Sequence, residues 1–394
     1  MVQPGFGVRE VRIRGFRSAR SVGFAPGPVC GLVGGPSVGK SNVLAAVWTL
    51  LRQHEPAPGD VTRGDAGPIQ LSATLASGDE ISLRASLSGH AARRGTPVPV
   101  LFLPASERSS GLVAPPVEGE AAARIVREYL TPEGDGSSAA PAVVLVDAIE
   151  RLYEAGERGL VLLVEEPELF LRPQAQRSLY HLLRSLAEAG NQVLYSTHSP
   201  WFLNVGRLDE LALVEWGTES GTRVTQPKPL PADESFRALS EVDAERSELF
   251  LASAVVLVEG RTEKLTLPFV FRALGYDADR EGISVVECGG KPNMPLFVRI
   301  CQTARVPFVV VHDRDAAPGR KPIQGERVLN AQIAELAGRE RTVVLAPDFE
   351  AIAGLRGRGH KPARAWQRFS SIEREQVPAQ LREVVEKAVA LARG

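Results

Sequence analysis

The chain has 394 residues, 44% hydrophobic and 24% charged, a length that exceeds what one hydrophobic core usually serves and so predicts two domains. A formal net charge of -1 excludes a protein coated in positive potential, so any nucleic-acid contact must be local. No apolar run reaches the roughly 18 residues of a membrane span, and no basic segment followed by an apolar one opens the chain, so a soluble, cytoplasmic protein without membrane contact is expected.

Taken in order, Val8–Phe16 alternates apolar and charged residues, the period-2 pattern of a half-exposed strand. Val29–Val33 predicts a strand that runs through a glycine-rich turn into a helix over 42–51. Segments 70–75 and 80–87 flank Ser77-Gly78-Asp79 and predict a hairpin. Residues 88–120, rich in Gly, Pro and Ala, predict no element. A helix is expected over 140–153, and a strand buried on both faces over 160–164. A helix placing Leu179, Leu182, Leu183 and Leu186 on one face follows, then a short strand over 192–196. This alternation implies a largely parallel sheet with crossover helices.

Residues 225–233 turn polar and proline-rich, a boundary signal that divides the chain into 1–230, a linker helix at 231–252, and 253–394. The second domain restarts the rhythm. Strands are expected at Ala254–Val258, Ile283–Glu287, 306–312 and Thr342–Leu345, and helices at 263–274, 294–303 and 379–392. Cys30, Cys288 and Cys301 lack ligand spacing and read as reduced packing residues.

Gly34-Gly35-Pro36-Ser37-Val38-Gly39-Lys40-Ser41 fits G-x-x-x-x-G-K-[ST] between a strand and a helix, the context that motif requires. Its glycines let backbone N–H groups close around the phosphates of ATP, Lys40 meets the β- and γ-phosphates, and the Ser41 hydroxyl ligates Mg²⁺. The apolar run ending at Val164 delivers Glu165 and Glu166. Glu165 is read as holding Mg²⁺ through water and Glu166 as polarising the attacking water, against the plainer reading of two solvated strand-end acids. His198, at the end of the next strand, offers a group to the γ-phosphate, or is simply a loop imidazole.

Glu165-Glu166-Pro167-Glu168 followed by Ser196-Thr197-His198-Ser199-Pro200 resembles the Walker B and switch-histidine pair of ABC-type ATPases of the RecF, SMC and OLD group. The resemblance implies dimerisation around nucleotide through a signature loop. The candidate is Gly134-Asp135-Gly136-Ser137-Ser138, with Ser137 as a nucleotide contact, although it departs from Leu-Ser-Gly-Gly-Gln. No heptad-rich arm follows the P-loop, which excludes an SMC-like coiled coil.

In the second domain, Ala254–Val258 ends in Glu259, and Glu263 follows one helical turn on. A later apolar run ends in Asp313-Arg314-Asp315, whose acids point to the same side in extended geometry. Strand-end carboxylates converge at the C-terminal edge of a parallel sheet, and such hard oxygen ligands suit Mg²⁺ or Mn²⁺. The arrangement, with the Gly289-Gly290 turn between, resembles the Toprim domain of topoisomerases, primases and nucleases. An ABC ATPase followed by Toprim, joined through Glu248-Leu249-Phe250-Leu251-Ala252 into Val258-Glu259-Gly260, resembles the OLD (overcoming lysogenization defect) nuclease family. That resemblance implies that Asp348 and Glu350 help bind a second metal and that Lys361 is a catalytic lysine. Lys361 lies in a basic stretch with Arg356, Arg358, His360, Arg364 and Arg368, which otherwise reads as a solvated face.

The expectation is an α/β protein: an N-terminal ABC/RecF-like P-loop ATPase domain, then a C-terminal Toprim domain with a mostly parallel sheet. Its implied activity is that of an ATP-binding and ATP-hydrolysing, divalent-metal-dependent DNA endonuclease or nickase, a homodimer or higher oligomer. Phage defence, with a helicase-type or other partner, is implied by the resemblance alone. The alternative is a RecF-like ATP-dependent DNA clamp or sensor without cleavage, against which the intact Glu259, Glu263, Asp313 and Asp315 weigh. Topoisomerase-like transesterification needs a nucleophilic tyrosine in a separate DNA-binding module, and the five tyrosines lie in none.

Overall fold

The computed structural model describes residues 6–62, 67–86, 91–105, 141–315, 324–355 and 360–393. Chain contacts divide it into two compact units, Met1–Pro229 and Leu230–Gly394.

The first unit is built on an eleven-stranded sheet. Its central strands, β3 (Val29–Val33), β8 (Val161–Glu165) and β9 (Gln192–Thr197), are buried at every position, the signature of parallel strands covered on both faces. Pleating sends alternate residues to opposite sides. Val161 and Leu163 of β8 join the cluster of Val43, Leu44, Val47 and Leu50 from α1 (Lys40–Leu51). Leu162 and Val164 join that of Ile149 and Leu152 from α2 (Pro141–Glu154) and Leu179, Leu183 and Leu186 from α3 (Pro173–Glu188).

A largely parallel sheet is not what forms here. β7 (Val100–Leu103), β8, β9, β3 and β10 (Leu211–Gly217) pair in parallel. The other half, β11 (Gly221–Thr225), β2 (Ala19–Phe24), β1 (Val8–Phe16), β4 (Ile69–Leu75), β5 (Glu80–Ala85) and β6 (Ala91–Arg94), is antiparallel. The reason is connection length: β1 and β2, like β10 and β11, are joined by turns too short to carry a crossover, so they must pair antiparallel. β2, β6, β7, β10 and β11 went unpredicted, because their short runs lack a long alternating pattern.

The second unit has a four-stranded, wholly parallel sheet in the order β13 (Ile283–Glu287), β12 (Ala254–Val258), β14 (Phe308–Asp313), β15 (Thr342–Leu345). Strand order differs from chain order, so crossovers run both ways and a crevice opens at the C-terminal edge beside β12 and β14. Val256, Val258, Val309, Val311 and Leu345 share one core with Leu267 and Phe271 of a helix at Arg261–Ala273, and with Val384, Val385 and Ala388 of the last helix, Ala379–Arg393. In chain order the described helices of this unit are α4 (Ala232–Glu241), α5 (Arg261–Ala273), α6 (Met294–Ala304), α7 (Gln324–Ala337), α8 (Phe349–Ile352), α9 (Lys361–Phe369) and α10 (Ala379–Arg393).

Among the described residues no helix is long and apolar enough to cross a membrane. All three cysteines are free and buried, and burial pushes the Cys30 and Cys301 thiols up to about 12, consistent with inert packing residues.

Candidate functional site

In the first unit the P-loop turns between β3 and α1. Gly39, the residue before α1, adopts φ 103°, and a Cβ there would lie 2.0 Å from Thr222 Oγ1, so the position requires glycine. A Cβ on Gly34 would meet the Val214 carbonyl oxygen at 2.1 Å. The loop is thus packed against β10 and β11, which explains why two glycines stand where they do.

Lys40 is nearly buried and its ammonium donates to the carbonyls of Gly34 and Gly35 at 2.9 and 2.8 Å. Burial lowers its pKa to about 8, opposed by the charges of Glu166 and Glu168. His198 Nε2 lies 2.9 Å from Lys40 Nζ and 3.8 Å from Glu166 Oε1. Desolvation, and then the Lys40 charge, hold the imidazole below its ordinary pKa. Glu165, buried at the end of β8, accepts a hydrogen bond from the Ala105 N–H at 3.0 Å. Glu166 turns out of the strand with φ 42°. Ser41 is exposed at the start of α1. The fold therefore brings Lys40, Glu166 and His198 together from three elements, with Glu165 one residue from Glu166. Ser137 lies outside the described residues.

The second unit gathers acids at the C-terminal edge of its sheet. Because Val258 is level with Val311, Glu259 and Asp313 leave neighbouring strands almost together. Glu259 Oε1 accepts the Asp313 N–H at 2.6 Å, and Asp313 Oδ1 accepts the Phe349 N–H at 2.8 Å. Burial first, then the charges of Glu259, Glu263 and Glu350, push Asp313 up to about 8. Burial, with Glu259 and Glu350, pushes Glu263 to about 7. Like charges near one another raise each other's carboxyl pKa. Glu350 forms an ion pair with Lys361, at the first position of α9.

Two predicted residues are differently engaged. Asp348 caps α8, its Oδ1 accepting the Ala351 N–H at 2.8 Å. Asp315, at φ 57°, pairs with Lys291. Arg356 and Arg358 lie outside the described residues.

Lys291 escaped sequence reading. It is nearly buried, donates to the Asp313 carbonyl at 2.6 Å and lies 3.4 Å from Glu259 Oε1. The one signal for it is the Gly289-Gly290 turn just before, both glycines at positive φ, which aims the following residue into the edge. Among the described residues no three acid, imidazole or thiol groups form a finished metal cage; the side chains of Lys291 and Lys361 hold Asp315 and Glu350 instead. The donor set still fits a divalent cation. Hard oxygens that repel one another, two of them held near or above neutral pKa, are relieved by a cation placed among them.

Comparison with known proteins bears on both sites. The model described as "Overcoming lysogenization defect protein-like, TOPRIM domain" matches residues 250–315, which carry Glu259, Glu263, Asp313 and Asp315. An AAA-domain model named for the AbiEii toxin of a type IV TA system matches residues 145–204, which carry Glu165, Glu166 and His198. The chain is similar to OLD-family proteins over its Toprim-like residues. The OLD nuclease of Thermus scotoductus is 35% identical over 265 residues, covering 62% of this chain and 50% of that protein. The Old nuclease of Escherichia phage P2 is 25% identical over 169 residues, covering 41% and 29%. The solved C-terminal region of the Burkholderia pseudomallei OLD protein aligns with TM-score 0.31 and 18% identity, covering 36% of this chain and 98% of that one. The chain spans half or less of the length of these curated relatives.

Proposed function

We propose that this chain is an OLD-family protein that binds and hydrolyses ATP in its first unit and cuts DNA phosphodiester bonds with divalent metal in its second, as an endonuclease or nickase. The proposed division is 1–230 for the ATPase, 231–252 for the linker and 253–394 for the nuclease. One observation carries the nuclease reading: Glu259 and Asp313 leave neighbouring parallel strands together, tied by the Asp313 N–H to Glu259 Oε1 at 2.6 Å, and Asp313 Oδ1 accepts the N–H of Phe349, the neighbour of Glu350. Lys361 and Lys291 reach Glu350 and Glu259, but Glu263 and Asp313 make no ion pair within 4 Å among the described residues, which a purely structural salt-bridge network does not explain.

In the ATPase, Lys40 faces the β- and γ-phosphates, Gly34 and Gly39 shape the backbone cradle, and Ser41 and Glu165 hold Mg²⁺. Ser137 belongs to the proposed signature loop. Glu166 orients the attacking water, and His198, within 3.8 Å of it, meets the γ-phosphate; positioning and charge stabilisation are what phosphoryl transfer demands. In the nuclease, Glu259, Glu263, Asp313, Asp315, Asp348 and Glu350 are the proposed ligands for Mg²⁺ or Mn²⁺. A divalent cation supplies Lewis-acid stabilisation of the attacking and leaving oxygens. Lys361, held by Glu350, stands ready to face the charge that develops on the scissile phosphate. The partner molecule is DNA, and the working form is a homodimer or larger. A role in phage defence and a helicase-type partner complete the proposal, resting on family likeness.

The test is cleavage of supercoiled plasmid with Mg²⁺ or Mn²⁺, with and without ATP, by wild type and Asp313→Ala. Nicked or linear product from wild type alone, only with metal, supports the reading, with a loss in the variant of at least about 100-fold. Intact plasmid in every lane overturns the nuclease.

A further inference from the structure

The Walker B strand and the histidine loop are tied by main-chain hydrogen bonds as far as Glu166, whose N–H donates to the Ser196 carbonyl at 2.9 Å. There the ladder stops, because Glu166 takes a left-handed φ of 42° and the chain turns away. A side chain continues the tie. Glu168 Oε1 accepts the His198 N–H at 2.6 Å, across 30 residues of sequence. Two overlapping turns, Leu169 N–H to Glu166 O and Leu171 N–H to Glu168 O, fix the main chain from which that carboxylate projects. Its second oxygen is buried, and the Thr197 side chain also hydrogen-bonds the carboxyl. A buried acid is costly, and a charge-assisted bond to an N–H is among the stronger ones that can offset the cost. At the other end of the same residue, His198 Nε2 reaches Lys40 and Glu166. The histidine's main chain is therefore held to the very turn that carries Glu166.

We propose that Glu168 is a positioning residue for His198, holding its main chain against the Walker B turn so that the imidazole stays in reach of Lys40 and Glu166 during ATP hydrolysis. The role rests on the ATPase reading above and concerns a residue to which that reading gives no task.

The test compares ATPase kinetics of wild type, Glu168→Gln, Glu168→Met, His198→Ala and the Glu168→Met/His198→Ala double variant. Glu168→Met lowers kcat about 100-fold with KM for ATP within about threefold, since a misplacement of about 1 Å costs that much. Glu168→Gln keeps an acceptor and recovers kcat to within about threefold. The double variant is no slower than His198→Ala, because the glutamate acts only through the histidine. Additive losses, wild-type kcat in Glu168→Met, or a glutamine variant as slow as the methionine one each overturn the proposal. Amide exchange without nucleotide reads the tether directly: Glu168→Met speeds exchange at His198 at least about tenfold and leaves Leu194 unchanged. Unchanged exchange at His198 also overturns it. Wild type that hydrolyses no ATP fails the ATPase reading instead, and the exchange result then decides the tether alone. If Glu168→Met does not fold, Glu168→Ala replaces it; if neither folds, the residue serves folding and the proposal falls.

Discussion

Asp313 and Glu263 make the stability of the second unit sensitive to pH. Their pKa values of about 8 and about 7 stand above the ordinary 3.8 and 4.5, so the folded chain keeps protons that the unfolded chain releases. Their contribution to stability is fully present below the ordinary carboxylate values and is lost as pH rises through 7 to 8. A cation among the acids opposes that loss. Thermal melts at about pH 5 and about pH 8 should show the metal-free protein less stable at the higher value, with Mg²⁺ raising Tm more there than at low pH. Equal Mg²⁺ effects at both would remove Asp313 and Glu263 from the proposed ligand set. Asp313 was singled out in the sequence by its place at a strand end, and Glu263 by its place one helical turn beyond Glu259. Lys291 was not, since nothing in a lysine's neighbours announces that its ammonium will be buried against a carbonyl 22 residues away.

At the scale of elements, two substitutions separate architecture from chemistry. Gly39→Ala puts a Cβ where Thr222 Oγ1 stands and a side chain at φ 103°. A loss of about 1–3 kcal/mol in stability is expected by chemical denaturation, together with loss of nucleotide binding. Asp348 has two possible employments, as cap of α8 and as metal ligand. Asparagine caps as well as aspartate, so Asp348→Asn should leave Tm nearly unchanged and weaken Mn²⁺ binding, read by electron paramagnetic resonance. Asp348→Ala should in addition lose about 1 kcal/mol of stability. If asparagine leaves Mn²⁺ affinity intact, Asp348 is a cap and not a ligand. The long periodic or wholly apolar elements, β1, β3, β8, β12 and α6 among them, were legible because burial on one or both faces writes itself into composition. α9 was not: its apolar contribution to the core is Ala365 and Phe369 within a basic run, and charge alone does not distinguish a helix from a solvated loop.

For the whole molecule, each unit has its own sheet and its own core, so each should respond to its own ligand. Scanning calorimetry should resolve two transitions, one raised by ATP with Mg²⁺ and the other by Mn²⁺ alone, each by the mass-action gain of binding to the folded form. A single transition raised equally by either ligand would mean that the units unfold as one. What the sequence determined by itself was a set of candidate groups and their order: a P-loop motif between strand and helix, paired acids after an apolar strand, and a second series of acids at or just beyond strand ends. These follow from local rules, in which neighbours along the chain dictate conformation and chemistry. What only the tertiary structure decided was partnership. The antiparallel half of the first sheet, the reach of Glu168 across 30 residues to the His198 N–H, and the ammonium groups of Lys291 and Lys361 set among the acids all depend on which distant segments pack together. That choice is made by the closing of the hydrophobic cores, whose contacts no local pattern records.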